Sequence, residues 1–165
     1  MATIDVQFDA NAVYCPAVNG AAMSLLEGST VETFVRSFDD TSEEFVHGKF
    51  RLPDDLDTSG TVTFRVGVLA KTAAAAKNVQ HRFGHVARQD GEDFDVAYSN
   101  EDSGNKAIED TQDNVSVHAW TETVSNLGWA AADLILFRYS RIAPSSGNLP
   151  GDMHLLHLTI IIPVC

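Results

Sequence analysis

At 165 residues and 17.9 kDa the chain is one domain's worth, and 44% apolar with 21% charged residues is ordinary globular composition, against wholesale disorder. Twenty-three acids against eleven bases leave a net charge of −12 and a pI near 4.6. A surface that acidic repels phosphate backbones and anionic lipid, so neither nucleic acid nor a membrane is an expected partner.

In chain order, Thr3 to Phe8 reads as a first strand, and residues 9–29, with Pro16, Gly20 and Gly28, as a longer irregular arm. Val31 to Phe38 is rich in β-branched and aromatic residues. Glu44 to Leu52 reads as another strand, with Gly48 a bulge or a point of close approach. Past the Pro53-Asp54-Asp55 turn, Thr61 to Val68 alternates strictly, placing Val62, Phe64, Val66 and Val68 on one face. The alanine run Lys71 to Lys77 is too short for a stable helix and reads as a loop. Val79 to Ala87 and Val115 to Thr121 alternate; Asp133 to Ile142 begins as a continuous apolar run and then alternates; Met153 to Val164 is apolar and β-branched. About eight strands separated by turn signals predict an all-β, antiparallel two-sheet sandwich of jelly-roll type. The expected division is a strand and arm over residues 1–29 and a sandwich over 30–165, within one domain. Phe34, Phe50, Phe64, Val66, Phe83, Trp120, Leu136 and Ile160 are the expected core.

Catalytic and metal signatures are missing. His81 and His85 share a strand face but stand about 13 Å apart at ~3.3 Å per residue, too far for one ion, and His154 and His157 are an odd number apart. Nine acids between Asp90 and Asp113 make a solvated loop or a hard-cation site, without the spacing of an EF-hand. No G-x-S-x-G elbow or phosphate-cradling glycine loop is present. No catalytic residue, cofactor or metal is therefore assigned, and no enzymatic activity is expected. Cys15 and Cys165 form no framework, and MATIDVQFD lacks the basic and apolar regions of a secretory signal, so free thiols in a reducing cytoplasm are expected.

Two segments carry a resemblance. Phe50-Arg51-Leu52-Pro53-Asp54-Asp55 turns into the alternating strand at Gly60 to Val66. Leu127 to Arg141 follows a G-L-x-P-G-D-x-L-x-x-R-x-x-R form, with Ala131-Ala132 where that form has Pro-Gly before the Asp. Over about residues 30–165 this order resembles the jelly-roll structural proteins of tailed phages, of the capsid decoration (cement) or head-fibre type. The resemblance implies a non-enzymatic virion protein, made in the host cytoplasm and mounted on the outer capsid. It would form a homotrimer that binds the major capsid protein and bridges its subunits. The irregular arm is then the expected contact surface, through Val13, Tyr14, Pro16, Val18, Met23 and Leu25. The competing expectation is a virion-surface jelly roll recognising host glycan or receptor, with Trp120, Trp129, Tyr98 or Tyr139 as stacking surfaces.

Overall fold

The computed structural model describes residues 2–27, 30–72 and 75–165. Gly28 of the arm and Ala73 and Ala74 of the alanine run lie outside the described residues. In chain order the elements are β1 (Ala2–Asp9), β2 (Ala22–Glu27), β3 (Glu32–Phe38), β4 (Phe45–Arg51), β5 (Thr61–Ala70), β6 (Asn78–Arg88), β7 (Ser99–Ala107), β8 (Ser116–Thr123), the single turn α1 (Val124–Leu127), β9 (Leu134–Ile142) and β10 (Met153–Val164). One sheet runs β2-β3-β10-β5-β8, with β1 also paired to β10; the other runs β4-β9-β6-β7. All the pairings are antiparallel. No helix among the described residues is long and apolar enough to cross a membrane.

The two-sheet sandwich is the architecture that the alternation predicts, and each of the eight expected strands is present. Two more were not anticipated. Residues 9–29 are not all irregular: β2 lies within them and makes a hairpin with β3, Leu25 standing opposite Phe34. The acidic stretch contains β7, an edge strand held to β6 by backbone ladder and by the bidentate Arg82–Asp102 pair at 2.7 and 2.8 Å.

The core lies between the sheets. Phe64 packs tilted against Phe83 at 4.6 Å and stacks on Trp120 at 5.3 Å, and Phe83 in turn meets Phe137 at 5.3 Å. Phe50, Phe64, Val66, Phe83, Trp120 and Ile160 are buried as expected, but Phe34 and Leu136 are not. Only Arg36 to Phe38 of β3 pair with β10, opposite Met153 to Leu155, so the first half of the strand runs beyond β10, bonded to β2, and Phe34 is 53% exposed. In β9 the inward positions are Ile135, Phe137 and Tyr139, which turns Leu136 to the outer face. Gly48 is a point of close approach: a Cβ there would stand 2.4 Å from the ring of Phe137.

The free edge of β4 is covered by the arm. Tyr14 exchanges backbone hydrogen bonds with His47, Phe45 N–H donates to Asn19, and Ala21 N–H donates to Phe45. Arg36, buried, holds the arm from below by donating to the carbonyls of Ala10 and Val13 at 2.8 Å each. An uncovered edge is a template for pairing with another chain, and this arm occupies it.

Three imidazoles lie inside the sandwich, away from any polar face. His118 donates from Nε2 to the carbonyl of Ala107 at 2.9 Å, which leaves its Nδ1 to accept from His81 Nε2 at 2.7 Å. His81 Nδ1 then accepts from the Tyr139 hydroxyl, also at 2.7 Å. The single direction of donation fixes both rings as neutral tautomers and links the two sheets through a polar chain. His85 accepts from Trp129 Nε1–H at 3.1 Å, so its own proton sits on Nε2, 3.6 Å from Glu101.

Candidate functional site

Outward-facing residues of β4, β9 and β6 fall into register as rows across the second sheet. Phe45, Ser140 and Arg82 make one row; His47, Arg138 and Gly84 the next; then Lys49, Leu136 and Val86; then Arg51, Leu134 and Arg88. Gly84 is glycine for a steric reason. Arg138 lies flat over it, and a Cβ would come within 2.9 Å of Arg138 Cγ and Nε. Laid down in this way, the guanidinium sits between two rings, 4.8 Å from the centroid of Phe45 and 4.7 Å from that of Tyr98. Cation–π contacts of this kind contribute about 0.5–2 kcal/mol each.

Tyr98 comes from the segment leading into β7, and Tyr14 from the arm on the opposite side. Tyr14 stacks on His47 at 5.5 Å and 26°, and His47 meets Tyr98 edge-on at 6.2 Å. Burial and then the charge of Arg138 lower the pKa of His47, and burial raises that of the Tyr98 hydroxyl. Beside these rings opens a cleft of about 520 Å³ lined by Tyr14, Lys49, Phe94, Asp95, Tyr98 and Leu136. Tyr14 is 62% and Phe94 73% exposed. Phe94 also walls a second cleft of about 610 Å³, which contains Arg51, Arg88, Glu92 and Leu134. Large exposed rings converging on clefts with a few polar groups are the composition of a binding surface.

The sequence had pointed elsewhere for rings. Trp120 and Trp129 are buried in the core, and Tyr139 is fully buried and bonded to His81, so none of the three offers a stacking face. Tyr98 alone of the four candidates, half-buried, lines the cleft. The six arm residues also divide. Val13 is buried in the core and Pro16 is half-buried; Tyr14 joins the aromatic cleft; Val18 is exposed; Met23 and Leu25 lie exposed on β2 in the other sheet. Phe94, His47 and Arg138 were missed, and only the register of β4 with β9 brings the last two together.

The remaining polar clusters are spoken for. A cleft of about 380 Å³ near Asp39, Asp40 and Glu43 contains Arg82, which Asp102 engages, and Arg141, which is buried and donates to the carbonyls of Gly151 and Leu149. No three His, Cys, Asp or Glu side chains come together as a metal site among the described residues. Cys15 and Cys165 are free; Cys15 donates its S–H to the Ala21 carbonyl.

The chain matches no protein-family model and no curated protein by sequence. Among solved structures it is similar to a family 35 carbohydrate-binding module from Clostridium thermocellum, with 10% identity and a TM-score of 0.52 over 95% of this chain and 97% of that one. It is also similar to the xylan-binding module CBM15, with 15% identity and a TM-score of 0.47 over 99% of each chain. A third likeness is to the CBM22-1 xylan-binding domain of Xyn10C from Paenibacillus barcinonensis, with 10% identity and a TM-score of 0.46 over 97% of this chain and 94% of that one. The first likeness extends over nearly the whole of both chains and shows the β-sandwich fold.

Proposed function

We propose that this protein is a non-catalytic carbohydrate-recognition module whose ligand lies on the outer face of the β4-β9-β6-β7 sheet. The observation that carries it is the aromatic cleft: Tyr14 and Phe94 present rings to solvent around it and the half-buried Tyr98 lines it, with Lys49 and Asp95 at its margin. A sugar ring stacks its C–H face on an aromatic ring, and its hydroxyls need donors and acceptors at the rim. The cleft offers both. That a carbohydrate-binding module shares the fold supports the same choice. Arg138 holds Tyr98 from below, so the platform is set before the ligand arrives and less ordering entropy opposes binding.

The test is a glycan array followed by titration calorimetry on any hit. Tyr14→Ala and Tyr98→Ala should each weaken binding by about 10- to 30-fold, the range of an aromatic anchor. Folded protein that binds no glycan, or binds one equally well in both variants, overturns the proposal.

A second reading, attachment as a trimer to a larger assembly such as a capsid, rests on another surface. Leu25 and Phe34 face each other across the β2–β3 hairpin and both are exposed, with Met23 exposed on the same strand. Light scattering that finds only monomer, with no binding to undecorated capsids, removes this second reading.

A further inference from the structure

The charge on this face is unlike that of the rest of the chain. The strands β4, β9 and β6, FVHGKFR, LILFRYSRI and NVQHRFGHVAR, contain no acid at all, in a protein with 23 of them. Their outward positions carry five of the eleven cations: Lys49, Arg51, Arg82, Arg88 and Arg138. Arg82 is neutralised by Asp102 and Glu43 at one end. Beyond it, among the described residues, Lys49, Arg88 and Arg138 have no carboxylate within 4.0 Å, and Arg51 has only Asp54 at 3.8 Å, both well exposed. The Nε–H groups of Arg88 and Arg138 find no acceptor. Unpaired cations gathered on one sheet of an acidic protein need a reason, since local carboxylates are plentiful.

From this pattern we infer that the ligand of the proposed glycan site is an acidic polysaccharide, running along β9 with its carboxylate or sulfate groups held by the flanking cations. The inference rests on the glycan reading and narrows it. Successive outward rows are about 6.7 Å apart along a strand, so Arg138 to Leu134 spans about 13 Å, a groove for several sugar rings. Arg51 and Arg88 stand on either side of Leu134 in one row, about 10 Å apart across two strand spacings. The guanidinium fork suits planar oxyanions, to which it donates two parallel hydrogen bonds. Acids do approach from the loop above: Asp90 and Glu92 line the second cleft and Asp95 the first. Glu92 accepts from the Gln89 N–H and Asp93 from the Asp95 N–H, so these two carboxylates brace the loop. Asp90 and Asp95 remain to receive hydroxyls and to reject a chain whose charges fall out of step with the rows.

Binding of the full chain to polygalacturonate, dextran sulfate, uncharged dextran and a single-stranded oligonucleotide is measured by calorimetry in low and moderate salt, about 20 and about 300 mM NaCl. Polygalacturonate or dextran sulfate should bind, whichever of the two binds identifying the acidic group, and affinity should fall at least about fivefold at the higher salt as the screening length shortens. The Arg51→Gln/Arg88→Gln double variant should lose about tenfold, while Arg65→Gln on the other sheet loses nothing. Salt-insensitive binding to an uncharged glycan, dependent on Tyr98 but not on the arginines, overturns this inference and leaves the glycan reading intact. Failure to bind any polysaccharide or array glycan overturns both. Oligonucleotide bound as tightly as the acidic polysaccharides overturns the inference in favour of general polyanion binding.

Discussion

Lowering the pH from 7.5 to 5 should destabilise this protein through its interior histidines. Burial holds His81 well below the ordinary imidazole range, and lowers His85 to about 4 and His118 and His154 by less. The folded protein therefore keeps these rings neutral, while the unfolded chain protonates near 6.5. Their contribution is complete above 6.5 and is lost progressively as the pH falls toward the folded value. For His85 the interval from 6.5 to about 4 corresponds to about 3 kcal/mol, of which about 2 kcal/mol is gone at pH 5. Glu101 beside it, raised by burial, takes up its proton more readily when folded and offsets a little of this near pH 4.5. Asp39 and Asp57, whose pKa values are lowered by hydrogen bonds from Thr41 and Ser59, act only below about 3.8 and leave the window clear. Urea unfolding at pH 7.5, 6 and 5 measures the loss. His85→Gln keeps an acceptor for Trp129 and removes the titration, so the variant should start less stable and show a shallower dependence on pH. A midpoint that does not move between pH 7.5 and 5, or an equal slope in His85→Gln, refutes the reasoning.

Three further outcomes follow from the packing. Phe64→Ala should cost about 3–5 kcal/mol in chemical denaturation, because the ring is fully buried between Phe83 and Trp120. Ala132→Gly should raise stability by about 0.5–1 kcal/mol, read as a higher melting temperature, because Ala132 has φ 65° and a left-handed Cβ is strained there. Thiol titration without reductant should count two thiols per chain, Cys165 reacting at once and Cys15 slowly, since Cys15 is partly buried and its pKa is raised by that burial.

The sandwich was legible because burial on one face imposes period two, and β5 obeys it from Val62 to Val68. β7 was not, because Ser99-Asn-Glu-Asp-Ser-Gly-Asn-Lys-Ala has no apolar face: an edge strand can be held by ladder bonds and by polar ties such as Arg82 to Asp102 and the His81 N–H to Ser103. Leu136 was misplaced because a run of apolar residues hides which set points inward. Ala132 is a further case. Its residue type gives no sign of a left-handed backbone, yet it adopts φ 65° in the turn that leads into β9. Little of the site could be read beforehand. Tyr14, His47 and Tyr98 are far apart in the chain, and only the docking of the arm on β4 and the approach of the segment before β7 make them neighbours.

Closing the edge of β4 and building the cleft are therefore one structural event. The backbone bonds between Tyr14 and His47 that block pairing with another chain also place the Tyr14 ring on His47. On the other sheet the outward residues of β5 and β8, Thr61, Arg65, Val117 and Thr121 among them, bring no aromatic ring, and the exposed Phe34 stands apart on β3. This coupling has a consequence for mutagenesis. Changes to Arg36 should loosen the arm, since its guanidinium holds the carbonyls of Ala10 and Val13. They would weaken ligand binding without touching the ligand, by freeing Tyr14. Tyr14→Ala removes the ring but keeps the backbone bonds that close the edge. Comparing the two separates the ring's direct contact from the order that the arm imposes on it: equal losses would mean that holding Tyr14 in place is the arm's whole contribution to binding.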